Sequence, residues 1–316
     1  MAKLDSYDAV TNAIVALLES GTKPWEPRWI AGGTAGLVLP RRVTGEAYRG
    51  INVLLLWAAA DERGFRADQW MTFKQAVELG GNVRKGEKGT NIVFFKKLTV
   101  ADRADPTGEA EKQIPMLRTY TVFNVEQIEN LPARFAPRLV ELVGGKERDD
   151  AAEAALRSSG ADIRESGDGA YYAPGADFVN MPTFDRFHTV GGFLATLAHE
   201  LCHWTGHKSR LDRDQINTFG SKDYAFEELV AEIGAAFIGA RLGIVGEHID
   251  NHAAYLASWL KALRNDKRAI FRAAALAQAA ADLVLANAEA LPAIAADAPI
   301  EADPDPVQVQ QFALFA

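Results

Sequence analysis

Residues 199–203 read His-Glu-Leu-Cys-His and follow the apolar run Phe193-Leu194-Ala195-Thr196-Leu197-Ala198. On a helix, His199 and His203 fall one turn apart on one face, so both imidazoles can reach a single metal ion. Glu200 stands beside them, where a carboxylate can take a proton from a metal-bound water. The plain alternative is a surface helix with two ordinary histidines. The apolar residues around the pair, and the acids that follow it, argue against that alternative.

A catalytic metal usually has about three protein ligands and one open position. The next helical pattern runs from Tyr224 to Phe237, with Phe226, Leu229, Val230, Ile233 and Phe237 at helical spacing. Glu228 and Glu232 share one face of it. One of them would ligate, and the other would orient a ligating histidine through its second ring nitrogen. Glu227 is adjacent, so three glutamates compete for these roles. Leu229, Val230 and Ile233 flank them and argue against a fully solvated face. The order His-Glu-x-x-His, then Glu-x-x-x-Glu on a later helix, resembles the gluzincin metallopeptidases. That resemblance implies Glu228 as third ligand and Glu232 as the support of a histidine. Two histidines and a carboxylate suit zinc, manganese, iron or cobalt. One zinc ion per chain is the expectation, with manganese left open. Cys202 reads as a small packing residue and not a ligand.

The chain of 316 residues can form two domains, and its 48% hydrophobic and 24% charged content is ordinary for globular protein. One cysteine excludes an internal disulfide. The first residues lack the apolar core of a signal peptide, and no stretch is long enough to span a membrane. The expectation is a cytoplasmic protein with no membrane partner.

The net charge of −8 is unevenly distributed. Residues 1–134 carry 18 basic and 16 acidic side chains, whereas residues 135–316 carry 16 and 26. Within 41–97 the balance is 11 basic to 6 acidic. A basic patch on an acidic protein suggests a polyanion site at that end, although so small an excess is commonly just a solvated face.

The elements that must carry these residues follow from periodicity and punctuation. Helices are expected over Asp8 to Glu19, through Leu54-Leu55-Leu56-Trp57 to Gly64, and over Phe73 to Leu79. Strands are expected over Asn91 to Leu98 and Leu117 to Phe123, joined by a polar tip at Ala101 to Lys112. A Pro/Trp loop spans residues 24–29. Domain boundaries fall at 1–134 and 149–290, with a linker at 135–148 and a disordered tail at 291–316. The second domain should open with a helix from Asp149 to Leu156. Short strands should follow near Ile163, Tyr171-Tyr172 and Phe178-Val179. The two metal helices come next, with a charged loop from His207 to Asp223 between them, and then helices over 252–265 and 267–289. The fold class is α+β: an N-terminal α/β domain, then a gluzincin-like domain with a small sheet and several helices.

The first domain interleaves cations with aromatics. Arg41, Arg42, Arg49, Lys74, Arg84, Lys85, Lys88 and Lys96 alternate with Tyr48, Trp70, Phe73, Phe94 and Phe95. Rings that stack on bases and cations that hold phosphates suit single-stranded nucleic acid, because duplex DNA offers no free base faces. Trp57, inside Leu-Leu-Leu-Trp, reads instead as core.

The stretches Thr44-Gly45-Glu46-Ala47-Tyr48-Arg49-Gly50-Ile51-Asn52, Trp70-Met71-Thr72-Phe73-Lys74-Gln75-Ala76, Val83-Arg84-Lys85-Gly86-Glu87-Lys88-Gly89 and Val122-Phe123-Asn124-Val125-Glu126-Gln127 resemble the N-terminal domain of ArdC-type antirestriction proteins. That domain also occurs in TraC-type primases of conjugative plasmids. Thr196 to His207 and the Glu-Glu-Leu-Val-Ala-Glu run resemble the metallopeptidase half of the same proteins. The resemblance implies a plasmid- or phage-associated protein that binds single-stranded DNA and protects incoming DNA from host restriction. A host restriction component is then a candidate protein substrate. Priming by this chain alone is not expected, since no primase-type acidic motif is visible.

Two readings follow. In the first, a DNA-associated metallopeptidase uses Glu200 as base, with His207, Tyr224 or Tyr255 as candidates to stabilise an oxyanion. His207 also reads as part of the helix cap after Gly206, and His248 and His252 read as surface residues. In the second, the protein is a single-strand-binding shield whose metal domain is structural or proteolytically idle.

Overall fold

The computed structural model describes residues 5–26, 38–101, 111–135, 150–213, 222–244 and 253–288. The expected hairpin tip, most of the linker, the 291–316 tail, much of the charged loop, His248 and His252 lie outside the described residues.

The N-terminal half begins with α1 (Ser6–Glu19), whose first turn is capped by Asp5 accepting from the Tyr7 amide. β1 (Arg41–Arg42) precedes α2 (Ile51–Arg63), which stops where Gly64 turns left-handed at φ +69°. β2 (Gln69–Thr72) runs into α3 (Phe73–Glu78), whose N-terminus is a capping box between Thr72 and Gln75. β3 (Asn82–Val83), β4 (Thr90–Ala101), β5 (Glu111–Asn124) and β6 (Ile128–Glu129) complete this half. One sheet has the order β1-β2-β5-β4, parallel only between β1 and β2, and β3 pairs with β6 in a second. β4 and β5 extend well past the expected apolar runs, in unbroken register from Thr90↔Val122 to Ala101↔Glu111. Antiparallel backbone pairing supplies this ladder whatever the side chains.

The C-terminal half opens with α4 (Asp150–Arg157). β7 (Asp162–Glu165), β8 (Tyr171–Ala173) and β9 (Phe178–Met181) form a sheet of order β7-β9-β8. Four helices follow: α5 (Val190–Thr205), α6 (Lys222–Leu242), α7 (Ala253–Asn265) and α8 (Ala269–Val284). This is the expected two-domain α+β arrangement of small sheets and several helices.

The halves share one hydrophobic core. Trp57 of α2 packs against Phe237 of α6, and Trp25 meets Trp259 of α7 edge-on, both with ring centroids 5.8 Å apart. Gly50 N donates to Gln278 Oε1 at 3.0 Å, Arg49 pairs with Asp282, and Thr11 Oγ1 donates to the Lys267 carbonyl at 2.7 Å. The N-terminal half is therefore packed directly on the helices behind the histidines. No helix among the described residues is long and apolar enough to cross a membrane.

Candidate metal centre

α5 starts at Thr189, whose hydroxyl accepts from the Gly192 amide at 3.0 Å. From there the helix is buried almost throughout, since Phe193, Leu194, Leu197, Ala198 and Leu201 pack inside the core. The buried helix presents His199 and His203 to α6, which packs against it, and Glu200 is buried beside them. The facing residues of α6 are Glu227, Glu228 and Glu232.

The two imidazoles turn their Nε2 atoms toward each other, 3.1 Å apart. Glu228 Oε2 lies 3.7 Å from His199 Nε2, and its Oε1 lies 3.4 Å from His203 Nε2. One ligand atom from each of these three residues falls within 4.8 Å of the others, a set that could hold one metal ion. The outer ring nitrogens are also engaged. His199 Nδ1 stands 3.2 Å from Glu232 Oε1, and His203 Nδ1 stands 3.3 Å from Glu227 Oε1. Each histidine thus has its own carboxylate behind it, the usual support of a metal-ligating imidazole. Among the three glutamates left open by the sequence, Glu228 faces both Nε2 atoms and the other two stand behind.

The electrostatics also fit a cation. Glu200, Glu227, Glu228 and Glu232 are all buried, Glu232 completely. Arg213 pairs with Glu227 and answers one of these charges. Buried carboxylates of this number need further positive charge. Without metal, protons supply it. Burial opposes the charged form of His199, but Glu228 and Glu232 outweigh burial and hold it well above its ordinary value. His203 is likewise lowered by burial and raised more by Glu227 and Glu228, to about 9. Burial pushes Glu228 up, yet the two histidines hold it far below the usual carboxylate range. A divalent ion would take the place of these protons.

Tyr224 lies one turn before Glu228 on α6. Burial, a hydrogen bond with Tyr255 and the charge of Glu228 push its phenol far up, so it stays a proton donor. Tyr255 packs against it with ring centroids 5.9 Å apart. His207 is turned aside, with Nδ1 2.8 Å from Ser209 Oγ, and its amide donates to the Trp204 carbonyl in the helix cap. Cys202 is fully buried packing, as expected.

The expected nucleic-acid residues divide. Trp70 is 1% exposed and lies edge-on to Phe65, and Tyr48 is buried under Arg42. Neither ring offers a face for stacking, which corrects the expectation. β2 lies inside its sheet between β1 and β5, so the core claims Trp70. Many of the cations are tied to acids: Arg41 to Asp68, Arg42 to Glu46, Arg49 to Asp282, Lys74 to Glu78 and Arg84 to Glu87. Lys85 and Lys88 are exposed, and the Lys96 side chain lies outside the described residues. Two exposed side chains that the sequence reading did not single out, Tyr120 and Arg118, stand on the same strand surface as Phe94. Tyr120 is 46% exposed, its ring 6.1 Å from that of Phe94, and Arg118 is exposed directly opposite Phe94 in the β4–β5 register. The alternation along β5 could have revealed them. Glu227 was among the three glutamates the sequence offered, but its place behind His203 depends on how α6 crosses α5. Arg213 left no local signal.

Residues 4–123 match the N-terminal domain of anti-restriction factor ArdC, and residues 150–276 match zincin-like metallopeptidases. The uncharacterized protein y4eC of Sinorhizobium fredii is 41% identical over 283 residues, covering 88% of this chain and 91% of that one. Two Escherichia coli proteins named DNA primase TraC are 40% and 41% identical over 89% of this chain, which spans only 20% and 27% of their length. The metal-free structure of antirestriction ArdC protein from plasmid R388 superposes with a TM-score of 0.79 at 47% identity, covering 91% of this chain and 99% of that one. Its Mn(II)-bound structure gives a TM-score of 0.75 at 46% identity, covering 90% and 98%. The zincin-like fold and the manganese-bound relative together point to a divalent metal.

Proposed function

The chain belongs to the ArdC antirestriction family, and from that premise we propose that it joins single-stranded DNA binding in its N-terminal half to metal-dependent peptide hydrolysis in its C-terminal half. The observation that carries the hydrolytic reading is the facing pair of Nε2 atoms, 3.1 Å apart, closed on one side by Glu228. His199, His203 and Glu228 would hold the ion, zinc or manganese, and Glu232 and Glu227 would orient the two rings. When bound, the ion supplies Lewis acidity to a water and to a peptide carbonyl. Glu200, next to His199 and buried, would accept a proton from the attacking water and return it to the leaving amine. Tyr224, held protonated beside Glu228, would donate a hydrogen bond to developing negative charge.

Support for the DNA half comes from the TraC relatives, which are DNA primases and share this segment within their longer chains. The exposed strand surface at Arg118, Phe94 and Tyr120 has the aromatic and cationic groups a single strand needs. The ArdC relative is known both metal-free and with Mn(II). Its fold therefore stands without the ion, which favours a chemical role for the metal over a structural one.

Glu200→Gln tests the reading. The variant should keep its metal and its affinity for single-stranded oligonucleotides. It should lose any proteolysis, and with it the protection of unmodified DNA conjugated into a restricting host. Full protection by Glu200→Gln would overturn the enzymatic reading and leave the protein a DNA shield.

A further inference from the structure

We propose that Arg213 is a positioning residue that decides which of two adjacent glutamates meets the metal, and that fixes His203 through the other. The inference rests on the metal-site reading above. Glu227 and Glu228 are neighbours on α6, both buried, and both reach His203. A carboxylate that close could swing toward the ion and fill the position that a water must occupy. Arg213 prevents this. Its guanidinium forks onto Glu227, Nε donating to Oε2 at 3.0 Å and Nη2 to Oε1 at 2.7 Å. Both Glu227 oxygens are thereby taken, and Oε1 is left accepting from His203 Nδ1. That bond keeps one proton on Nδ1, so that the proton a metal would displace is the one on Nε2, the atom that faces Glu228 and His199.

The remaining donors of Arg213 tie the clamp to α5. Nη1 donates to Thr205 Oγ1 at 2.8 Å, and Nη2 donates to the Cys202 carbonyl at 2.6 Å. Cys202 directly precedes His203, and its carbonyl belongs to the last turn of the helix, where cations are favoured. The approach is built into the backbone. Asp212 takes a left-handed φ of +48°, uncommon outside glycine, and Arg213 N donates to the Gly206 carbonyl at 2.9 Å. This turn folds the chain back over the end of α5, and the Arg213 side chain is only 4% exposed. A buried guanidinium with four bonds to two ligand-bearing helices is a specific arrangement, since an unpaired charge there would be costly.

The test uses the full chain, stripped of metal and reloaded with Co(II), with affinity read by chelator competition and coordination by the visible spectrum. Arg213→Lys keeps the charge but loses the fork, and Glu227→Gln keeps the shape but loses the charge. Each should weaken Co(II) binding about 10–100-fold. Because they act as one unit, the double variant should be no weaker than the poorer single. In Arg213→Lys, Glu227 should enter the coordination sphere, and the added oxygen ligand should lower the visible absorption. Arg210→Ala, in the same loop but bonded to Trp204 and Asp177, should bind Co(II) like the parent. Parent-like affinity and spectrum in Arg213→Lys and Glu227→Gln would overturn the inference alone, as would an equal loss in Arg210→Ala. A parent chain that binds no Co(II) would overturn the metal reading, and this inference with it.

Discussion

Cys202 Sγ stands so close to Gly234 that a Cβ on the glycine would lie 2.6 Å from the sulfur. This pair marks a close approach of α5 and α6 beside the site: His203 follows Cys202, and Glu232 lies two residues before Gly234. The distance between histidines and glutamates depends on that approach. Gly234→Ala gains about 1 kcal/mol of helix propensity, but overpacking a filled core costs about 1–3 kcal/mol. The clash should win, because the thiol is fully buried and has little room to turn. Urea melts of the metal-free protein should show Gly234→Ala less stable than the parent. Adding Cys202→Ala should restore part of the loss. A single variant as stable as the parent would refute this account of the packing.

The ligand assignment predicts an ordered series in metal content. His199→Ala, His203→Ala and Glu228→Ala each remove an atom from the set that surrounds the site and should leave little metal after dialysis. Glu232→Gln removes only the support behind His199 and should weaken binding about 10–100-fold without abolishing it. Elemental analysis across a range of free metal distinguishes the classes. Full occupancy in Glu228→Ala with total loss in Glu232→Gln would exchange the two roles.

How far the sequence foretold this site depends on the range of each interaction. His199, Glu200 and His203 are legible because their relation is local, one turn of a helix whose apolar residues declare it buried. The face carrying Glu228 and Glu232 is legible for the same reason. Which of three glutamates meets the imidazoles depends on how α6 crosses α5, and that crossing is set by contacts such as Cys202 against Gly234. Arg213 reaches Glu227 through a folded loop, and no spacing rule announces it. Trp70 misleads for a different reason. Gln69, Trp70 and Met71 are all buried in a strand of four residues, so no polar alternation reveals which way the ring faces. A tryptophan among basic residues looks like a nucleic-acid contact until the strand is placed inside its sheet.

Protonation gives metal-free and loaded protein opposite pH responses. In the metal-free chain His199 and His203 are held above the ordinary value of 6.5, His203 at about 9. Groups raised on folding stabilise the protein fully below 6.5, and that contribution is lost as pH climbs through 9. Glu227 is lowered to about 2 against an ordinary 4.5, so its contribution is present above 4.5 and is lost in acid. The metal-free chain should therefore melt at lower temperature at pH 9 than at pH 6.5. Metal must displace those protons, so its affinity should rise over the same interval. The gain in melting temperature on adding saturating Mn(II) should be larger at pH 9 than at pH 6.5. An equal gain at both would mean the histidines bind no proton that the metal displaces.

The DNA surface is the last test. Phe94, Tyr120 and Arg118 sit together on the β4–β5 ladder, whereas Trp70 lies in the core. If Tyr120 stacks on a base, Tyr120→Ala should cost about 1–3 kcal/mol in binding a single-stranded oligonucleotide. Its melting temperature should be unchanged, because the ring is half exposed. Arg118→Ala should flatten the log–log salt dependence by about 0.7, the share of one neutralised phosphate. Trp70→Ala should behave in the opposite way. Emptying a fully buried indole site costs about 3–5 kcal/mol of stability, so its melting temperature should fall, and any loss of DNA binding should track the unfolded fraction. Fluorescence anisotropy of the full chain at several salt concentrations, run beside thermal melts, separates these effects. Parent-like binding in both Tyr120→Ala and Arg118→Ala, or equal affinity for single-stranded and duplex DNA, would remove the β4–β5 surface from the account.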